Sequence, residues 1–264
     1  MIDIHTHILP GIDDGASDWE ESLALARAAV AGGITTVVAT PHHADERYYN
    51  KAVDVVALTA QLNERLHEAG IPLSVRHGQE VRYHKELLDN LEQGELVTLA
   101  GSRYLLLELP SGSVPDGVPE LIYELSLKGV IPVIAHPERN RELAGDTNKL
   151  LRLIELGALA QVTAHSLIGS FGKGIERAAW MMCRQGLIHL VSSDAHHCDR
   201  RSFRLEEAYE KVADKLGSRI ATAYKRNAQL LVDDQPIPSL AVPVVDATGA
   251  WGKMKRLFGR GAAE

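Results

Sequence analysis

The chain opens Met-Ile-Asp-Ile-His-Thr-His-Ile-Leu-Pro-Gly-Ile-Asp-Asp-Gly, with two imidazoles two residues apart at His5 and His7. Side chains at i and i+2 of a strand share a face. A β-branched run ending in His-x-His therefore presents half of a metal site. A lone histidine at a strand end is ordinarily a hydrogen-bonding residue without a chemical role, but here the pattern recurs along the chain. Thr40-Pro41-His42-His43, Gly78-Gln79-Glu80, Glu108, Ala135-His136-Pro137-Glu138-Arg139 and Ser192-Ser193-Asp194-Ala195-His196 each end or follow an apolar run, and Asp13 and Asp14 follow the first. Nitrogen and carboxylate donors without cysteine suit Mn²⁺, Fe²⁺ or Zn²⁺, and they are too many for one tetrahedral ion. Two or three ions bridged by a carboxylate are expected; such clusters act as Lewis acids and supply hydroxide at neutral pH.

The elements that must position these groups alternate in type. Apolar runs at Ile2–Ile4, Thr35–Ala39, Leu73–His77, Tyr104–Leu107, Ile131–Ala135, Leu159–Val162 and Ile188–Val191 read as buried strands. Helical patterns lie between them, among them Trp19–Ala31, Ala52–Ala69, Glu120–Lys128, Lys149–Leu156 and Lys173–Cys183, with Gly32-Gly33, Gly70, Gly129, Gly157 and Gly186 at their ends. Strand–helix repetition implies a parallel sheet, and seven strands suggest closure into a barrel whose strand carboxyl ends share one face. The 264 residues suit one large α/β domain or at most two small ones, and 45% hydrophobic with 24% charged residues is ordinary for a globular core. A net charge of -7 does not indicate a nucleic-acid surface. Two cysteines, Cys183 and Cys198, make no disulfide framework. With no signal-like or membrane-length apolar run, a soluble, cytoplasmic protein is expected.

His-Thr-His-x-Leu-Pro-Gly-x-Asp-Asp-Gly, Thr-Pro-His-His, Gly-x-Glu, Ala-His-Pro-Glu-Arg and Ser-Asp-Ala-His together resemble the polymerase-and-histidinol-phosphatase (PHP) superfamily. Within it, the chain is most similar to the bacterial metal-dependent protein-tyrosine phosphatases of capsule and exopolysaccharide operons. The resemblance covers residues 1–232 and implies a distorted seven-stranded (β/α)7 TIM-like barrel, the PHP fold, holding two to three divalent ions, with Mn²⁺ the first choice and Fe²⁺, Co²⁺ or Zn²⁺ behind it. It implies that His5, His7 and Asp194 hold one ion and share Glu80 with a second, which Glu108 and His136 complete. Asp14, His42 and His196 would hold the third. The implied partner is a phosphotyrosine protein, an autophosphorylating bacterial tyrosine kinase of polysaccharide synthesis.

Arg139 follows His136 by three residues and Arg201 follows Asp194 by seven. A guanidinium is a rigid fork that matches two phosphate oxygens. A lone loop arginine is ordinarily a surface salt bridge, but beside metal ligands, and by the resemblance, both are assigned to substrate phosphate. Arg141, Arg200 and Arg204 are expected to be solvated or at the substrate rim. His197-Cys198-x5-Arg204 spells the signature of cysteine-dependent tyrosine phosphatases. Its loop lacks the glycines that a phosphate-cradling backbone needs, so the match is read as accidental, and Cys183 as core. His67, His84, His165 and His189 are expected to pack in core or surface, and His43 and His197 to point away from the ligands. Tyr48 and Tyr49 either line the entrance or are surface turn residues.

From Asp233 onward Pro236, Pro238 and Pro243 break regular structure, so residues 233–264 are expected to be a Pro/Gly-containing basic tail. Trp251, Met254, Leu257 and Phe258 interleaved with Lys253, Lys255, Arg256 and Arg260 form either a frayed end or a short amphipathic helix docking on a membrane surface or partner. The reading is a phosphomonoester hydrolase acting on phosphotyrosine. Rivals are a histidinol-phosphate or other small-metabolite phosphatase, a metal-dependent amidohydrolase or deaminase (against which the Glu80–Glu108 pair speaks), and a non-catalytic metal-bound regulator of a tyrosine kinase.

Overall fold

Among the described residues every strand runs parallel to the strands it pairs with, so their carboxyl ends open to one side. The structure is a computed structural model and describes residues 1–238; the tail residues Trp251 to Arg260 lie outside the described residues. The first half runs β1 (Ile2–Thr6), α1 (Trp19–Ala31), β2 (Thr36–Ala39), β3 (His42–His43), α2 (Ala52–Glu68), β4 (Ser74–His77), β5 (Glu80–Arg82), α3 (Leu87–Glu92) and β6 (Tyr104–Glu108). The second runs α4 (Val118–Leu127), β7 (Ile131–Ala135), α5 (Arg141–Gly145), α6 (Thr147–Glu155), β8 (Leu159–Thr163), α7 (Ala164–Ile168), α8 (Lys173–Arg184), β9 (Leu190–Ser192), α9 (Leu205–Leu216) and α10 (Ser218–Val232).

Local chemistry explains the boundaries. The Asp18 carboxylate accepts the Glu21 N–H (3.0 Å) to cap α1. α2 buries Val55, Thr59, Leu62 and Leu66, one stripe at helical spacing. β6, Tyr-Leu-Leu-Leu-Glu, is buried throughout, as a strand covered on both faces must be. Alternation along the strands divides the apolar residues into two cores. Ile4, Val38, Leu106, Val133 and Leu190, one from each of five strands, pack with Leu99 and with Ala228 and Leu231 of α10. Their neighbours Val37, Leu105, Leu107, Ile134 and Val191 face the helices, in the larger core.

The expected seven strands correspond to β1, β2, β4, β6, β7, β8 and β9, but the pairing is not one closed seven-stranded sheet. It forms a three-stranded sheet, β1-β2-β4, and a six-stranded sheet, β3-β5-β6-β7-β8-β9. The additional strands are β3 and β5, which carry His42 and Glu80 in register with each other. A break at Thr40-Pro41 separates β2 from β3. Pro41 has no N–H to give a ladder, while Thr40 gives its N–H to Thr6 O (2.8 Å) and accepts the Thr6 N–H on Oγ1 (3.0 Å). Edge strands β1 and β9 meet at the isolated parallel bridge between Thr6 and Ala195. Past α10 the chain remains fastened: Arg103 pairs with Asp234 (2.9 Å) and the Tyr104 hydroxyl donates to Gln235 O (2.7 Å).

Candidate metal centre

Two histidines at the end of β1 are aimed by what holds their other ring nitrogen. His5 Nδ1 donates to Gln161 Oε1 (3.1 Å) and His7 Nδ1 to Asp13 Oδ2 (2.7 Å). In the neutral rings both Nε2 atoms are thus left as lone pairs, and they face each other at 3.2 Å. An acceptor on Nδ1 that fixes tautomer and ring is the usual support of a metal-binding histidine. His196 repeats it, its Nδ1 donating to the Asp194 carbonyl (3.0 Å) while Nε2 faces Asp14 Oδ1 (3.2 Å).

Carboxylates close round these lone pairs. Glu80 Oε2 lies 3.3 Å from His5 Nε2, 3.5 Å from His7 Nε2 and 3.0 Å from His42 Nδ1, and its other oxygen lies 2.8 Å from His136 Nε2. Asp194 divides its work. Oδ1 faces His5 Nε2 (3.3 Å) and His7 Nε2 (3.4 Å) without a hydrogen bond, while Oδ2 accepts from both Arg139 (2.7 Å) and Arg201. This orientation is set by a left-handed backbone at Asp194 (φ 56), a conformation that recurs at His136 (φ 32). Non-glycine residues occupy that region at a cost and gather at functional sites.

Among the described residues, three groups of donors lie close enough to share an ion: His5–His7–Glu80, His42–Glu80–Glu108 and His7–Asp14–His42–His196. All nine expected ligands lie in one connected set of contacts. His7 and His42 each belong to two groups, and His136 and Asp194 adjoin the groups through Glu80 and the His5–His7 pair. The donors fit hard or borderline divalent ions. Asp194 Oδ1 and Glu108 Oε2 are buried without hydrogen-bond partners, which is costly for polar atoms unless a cation takes their lone pairs.

Among the protein groups alone, charges are strongly coupled. Burial opposes the Glu80 carboxylate, but His5 and His42 outweigh it and hold Glu80 well below the usual range. The same contest lowers Asp194, through His5 and Arg201. Hydrogen bonds from His196 and His42 lower Asp14. Burial resists protonation of His42, yet Glu80 and Asp14 lift it to about 10. Burial and neighbouring positive charge push His136 and His196 down to about 4. Glu108 is raised by burial and by the Glu80 charge, although Arg82 pairs with it at 2.9 Å.

The remaining expected residues sort by contact. Arg139 and Arg201 are partly exposed and converge on the cluster, whereas Arg141 and Arg200 are exposed and Arg204 pairs with Glu207. Arg204 therefore does not join Cys198 in a phosphate loop. Cys198 is exposed, and burial and nearby carboxylates raise its thiol. Cys183 is core. His43 turns away, its Nδ1 donating to Asn50 O (2.6 Å). His165 and His189 are buried and His67 is exposed. Tyr48 stacks on His42 with ring centres 6.0 Å apart, and Tyr49 is exposed with its hydroxyl on Glu95.

Several supporting residues carry no sequence signal of their own role. Asp13 and Asp14 are adjacent and alike, yet Asp13 orients His7 and Asp14 faces His42 and His196. Gln161 and Arg82 sit at strand positions where only pairing reveals that they reach His5 and Glu108. Gly15 is required by close approach: a Cβ there would stand 2.0 Å from His7 O and 2.5 Å from His7 Cβ.

The family model for capsular polysaccharide synthesis proteins, CpsB/CapC, matches residues 1–233. The chain belongs to the CpsB/CapC family. It is 44% identical over 237 residues to the tyrosine-protein phosphatase YwqE of Bacillus subtilis, covering 90% of this chain and 93% of that one. To the tyrosine-protein phosphatase CpsB of Streptococcus pneumoniae it is 30% identical over 243 residues, covering 90% of this chain and all of the relative. In three dimensions it matches a crystal structure from work on YwqE and CpsB, described as unique metal-dependent tyrosine phosphatases, with a TM-score of 0.89 at 44% identity over 91% of this chain and 97% of that one.

Proposed function

We propose that this chain is a metal-dependent protein-tyrosine phosphatase of capsule or exopolysaccharide synthesis, acting in the cytoplasm on an autophosphorylating tyrosine kinase. One observation carries the reading: Asp194 turns one oxygen to the His5–His7 pair and the other to two arginines. Ion ligands and a fork for phosphate oxygens are thereby joined on one carboxylate. The names of the relatives support phosphotyrosine as the substrate class. We take His5, His7, Glu80 and Asp194, then Glu80, Glu108 and His136, then Asp14, His42 and His196 as holding two to three divalent ions, Mn²⁺ first. We read the two sheets as one distorted seven-stranded barrel, broken at Thr40-Pro41 and at Gly78-Gln79, within a catalytic body of residues 1–232.

When bound, such ions supply Lewis acidity and a nucleophile at neutral pH. The rest falls to the protein. Partial exposure marks the open face, with side-chain exposures of 48% at Asp14, 31% at Arg139 and 23% at Arg201, against 0% at Asp194. Phosphate arriving there meets both guanidiniums, which offer charge-assisted donors to its oxygens and neutralise charge as the ester bond breaks. Neither arginine serves as a base, because guanidinium stays protonated. Asp13, Gln161 and the Asp194 carbonyl keep the ligand imidazoles in the tautomer that binds metal.

The test compares phosphotyrosine peptide with histidinol phosphate across Mn²⁺, Co²⁺, Fe²⁺ and Zn²⁺, with and without chelator. Arg139→Ala and Arg201→Ala are each expected to lower kcat/KM about a hundredfold, as loss of one transition-state donor does, with metal content unchanged. Lysine at either position should restore it only in part. Faster turnover of histidinol phosphate would shift the substrate class, and chelator-resistant turnover would remove metal from the mechanism.

A further inference from the structure

The two arginines rest on a residue that no motif contains. Phe171, half-buried between α7 and α8, has the Arg139 guanidinium 5.5 Å from its ring centre and the Arg201 guanidinium at 6.0 Å. Both fall within the range in which an aromatic ring attracts a cation. The ring is itself held. The His165 ring lies 5.6 Å away, and His165 Nε2 donates to Ser202 O (2.8 Å), next to Arg201 in the chain. The turn carrying Phe171 is closed by Ser170 N–H on His165 O (2.9 Å) and by Gly172 N–H on Gly169 O (3.1 Å). His165 and Phe171 thus tie the α7–α8 turn to the loop that bears Arg201.

We infer that Phe171 is a positioning residue of the phosphate clamp, holding the Arg139 and Arg201 guanidiniums side by side where both reach one phosphate group. This rests on the reading of those arginines as phosphate ligands. Two guanidiniums converging on one carboxylate oxygen repel each other; Asp194 Oδ2 draws in one N–H of each, which leaves the rest of each fork to be placed. A second carboxylate would place it by occupying the N–H donors that the substrate needs. A phenyl ring attracts the cations through its π face and accepts no conventional hydrogen bond. It therefore orients the pair while leaving the donors not given to Asp194 free for phosphate oxygens.

The experiment measures phosphotyrosine-peptide kinetics, inhibition by inorganic phosphate, bound metal and Tm for the Mn²⁺-loaded enzyme and for Phe171→Leu, Phe171→Tyr, Arg139→Ala and the Phe171→Leu/Arg139→Ala double variant. Leucine keeps the bulk and removes the π face. It should lower kcat/KM and raise the phosphate inhibition constant each by about fivefold to tenfold, with metal content and Tm near wild type. Tyrosine should restore both. Because Phe171 acts through the arginines, its loss should cost less once Arg139 is gone, a non-additive cycle. Wild-type kinetics in Phe171→Leu, or strictly additive effects in the double variant, would overturn the inference. If Arg139→Ala itself has normal kcat/KM, the phosphate-clamp reading fails; if Arg139→Ala is impaired and Phe171→Leu is not, only the role of Phe171 fails.

Discussion

Replacing Asp13 by asparagine should weaken metal binding without touching a metal ligand. Asp13 Oδ2 accepts from His7 Nδ1 (2.7 Å) and the His42 N–H (3.3 Å), and Oδ1 accepts from the Gly15 N–H (2.9 Å). Both oxygens face donors, so an amide sets its NH2 against a donor whichever way it turns. The variant also loses the charge that fixes the His7 tautomer. A buried charge-assisted bond is worth about 1.5–3 kcal/mol, and outer partners of ligand histidines typically contribute about 10–100-fold in metal affinity. The sign of the pH dependence follows from His7. Burial opposes its protonation, but Asp13 leads the contacts that hold its pKa well above the ordinary value. Only neutral imidazole binds metal, so wild-type affinity falls as pH drops below that raised pKa. Asparagine lowers the His7 pKa, and proton competition in the variant begins at lower pH. The affinity deficit should therefore be largest near pH 8, about 10–100-fold, and narrow toward acid. Calorimetric Mn²⁺ titration of chelator-treated protein from pH 6 to pH 8, with Tm as the fold control, measures this directly. Affinity within threefold of wild type at pH 8, or a deficit that widens toward acid, would refute the reasoning.

Cys198→Ser should retain near-wild-type kcat, because the thiol is raised by burial and by neighbouring carboxylates and Arg204 is committed to Glu207; steady-state kinetics on phosphotyrosine peptide decide it. Gly15→Ala should lose bound metal far more than secondary structure, since its Cβ would stand 2.0 Å from His7 O; elemental analysis beside circular dichroism separates the two. His189 is buried with a pKa pushed down to about 4, and its Nδ1 accepts the Ala160 N–H (3.2 Å). Its folded pKa lies below the unfolded value of about 6.5, so its contribution to stability is full at pH 7 and lost as pH falls through that window, by about 1.4 kcal/mol per unit. His189→Asn keeps an acceptor that does not titrate. Its urea-unfolding free energy should consequently fall about 2 kcal/mol less than wild type between pH 7 and pH 5.

Chain chemistry alone determines which residue types stand at the strand ends. His5 and His7 share an orientation because the pleat has period two, Glu80 follows β4 across Gly78-Gln79, Glu108 closes β6, and the glycines after the helices bound the connections. Parallel pairing then brings these ends to one side, which is why the gathering of these donors is legible from the chain alone. Hydrogen-bond register decided what local pattern cannot. Thr40-Pro41 reads as the end of one strand, yet the ladder stops and resumes beyond it, because Pro41 lacks a donor and Thr40 is spent on Thr6. The result is two sheets in place of one closed seven-stranded sheet. Asp13 and Asp14 are indistinguishable by type and neighbourhood, and only the turn closed by Gly15 gives them separate tasks. The two-sided use of Asp194 depends on a left-handed backbone, which no single residue type specifies. Gln161 and Phe171 meet His5 and the arginines from parts of the chain that local periodicity cannot relate. Such contacts arise from packing between distant segments, where the free energy of the whole fold, and not the preference of any one stretch, selects the partner.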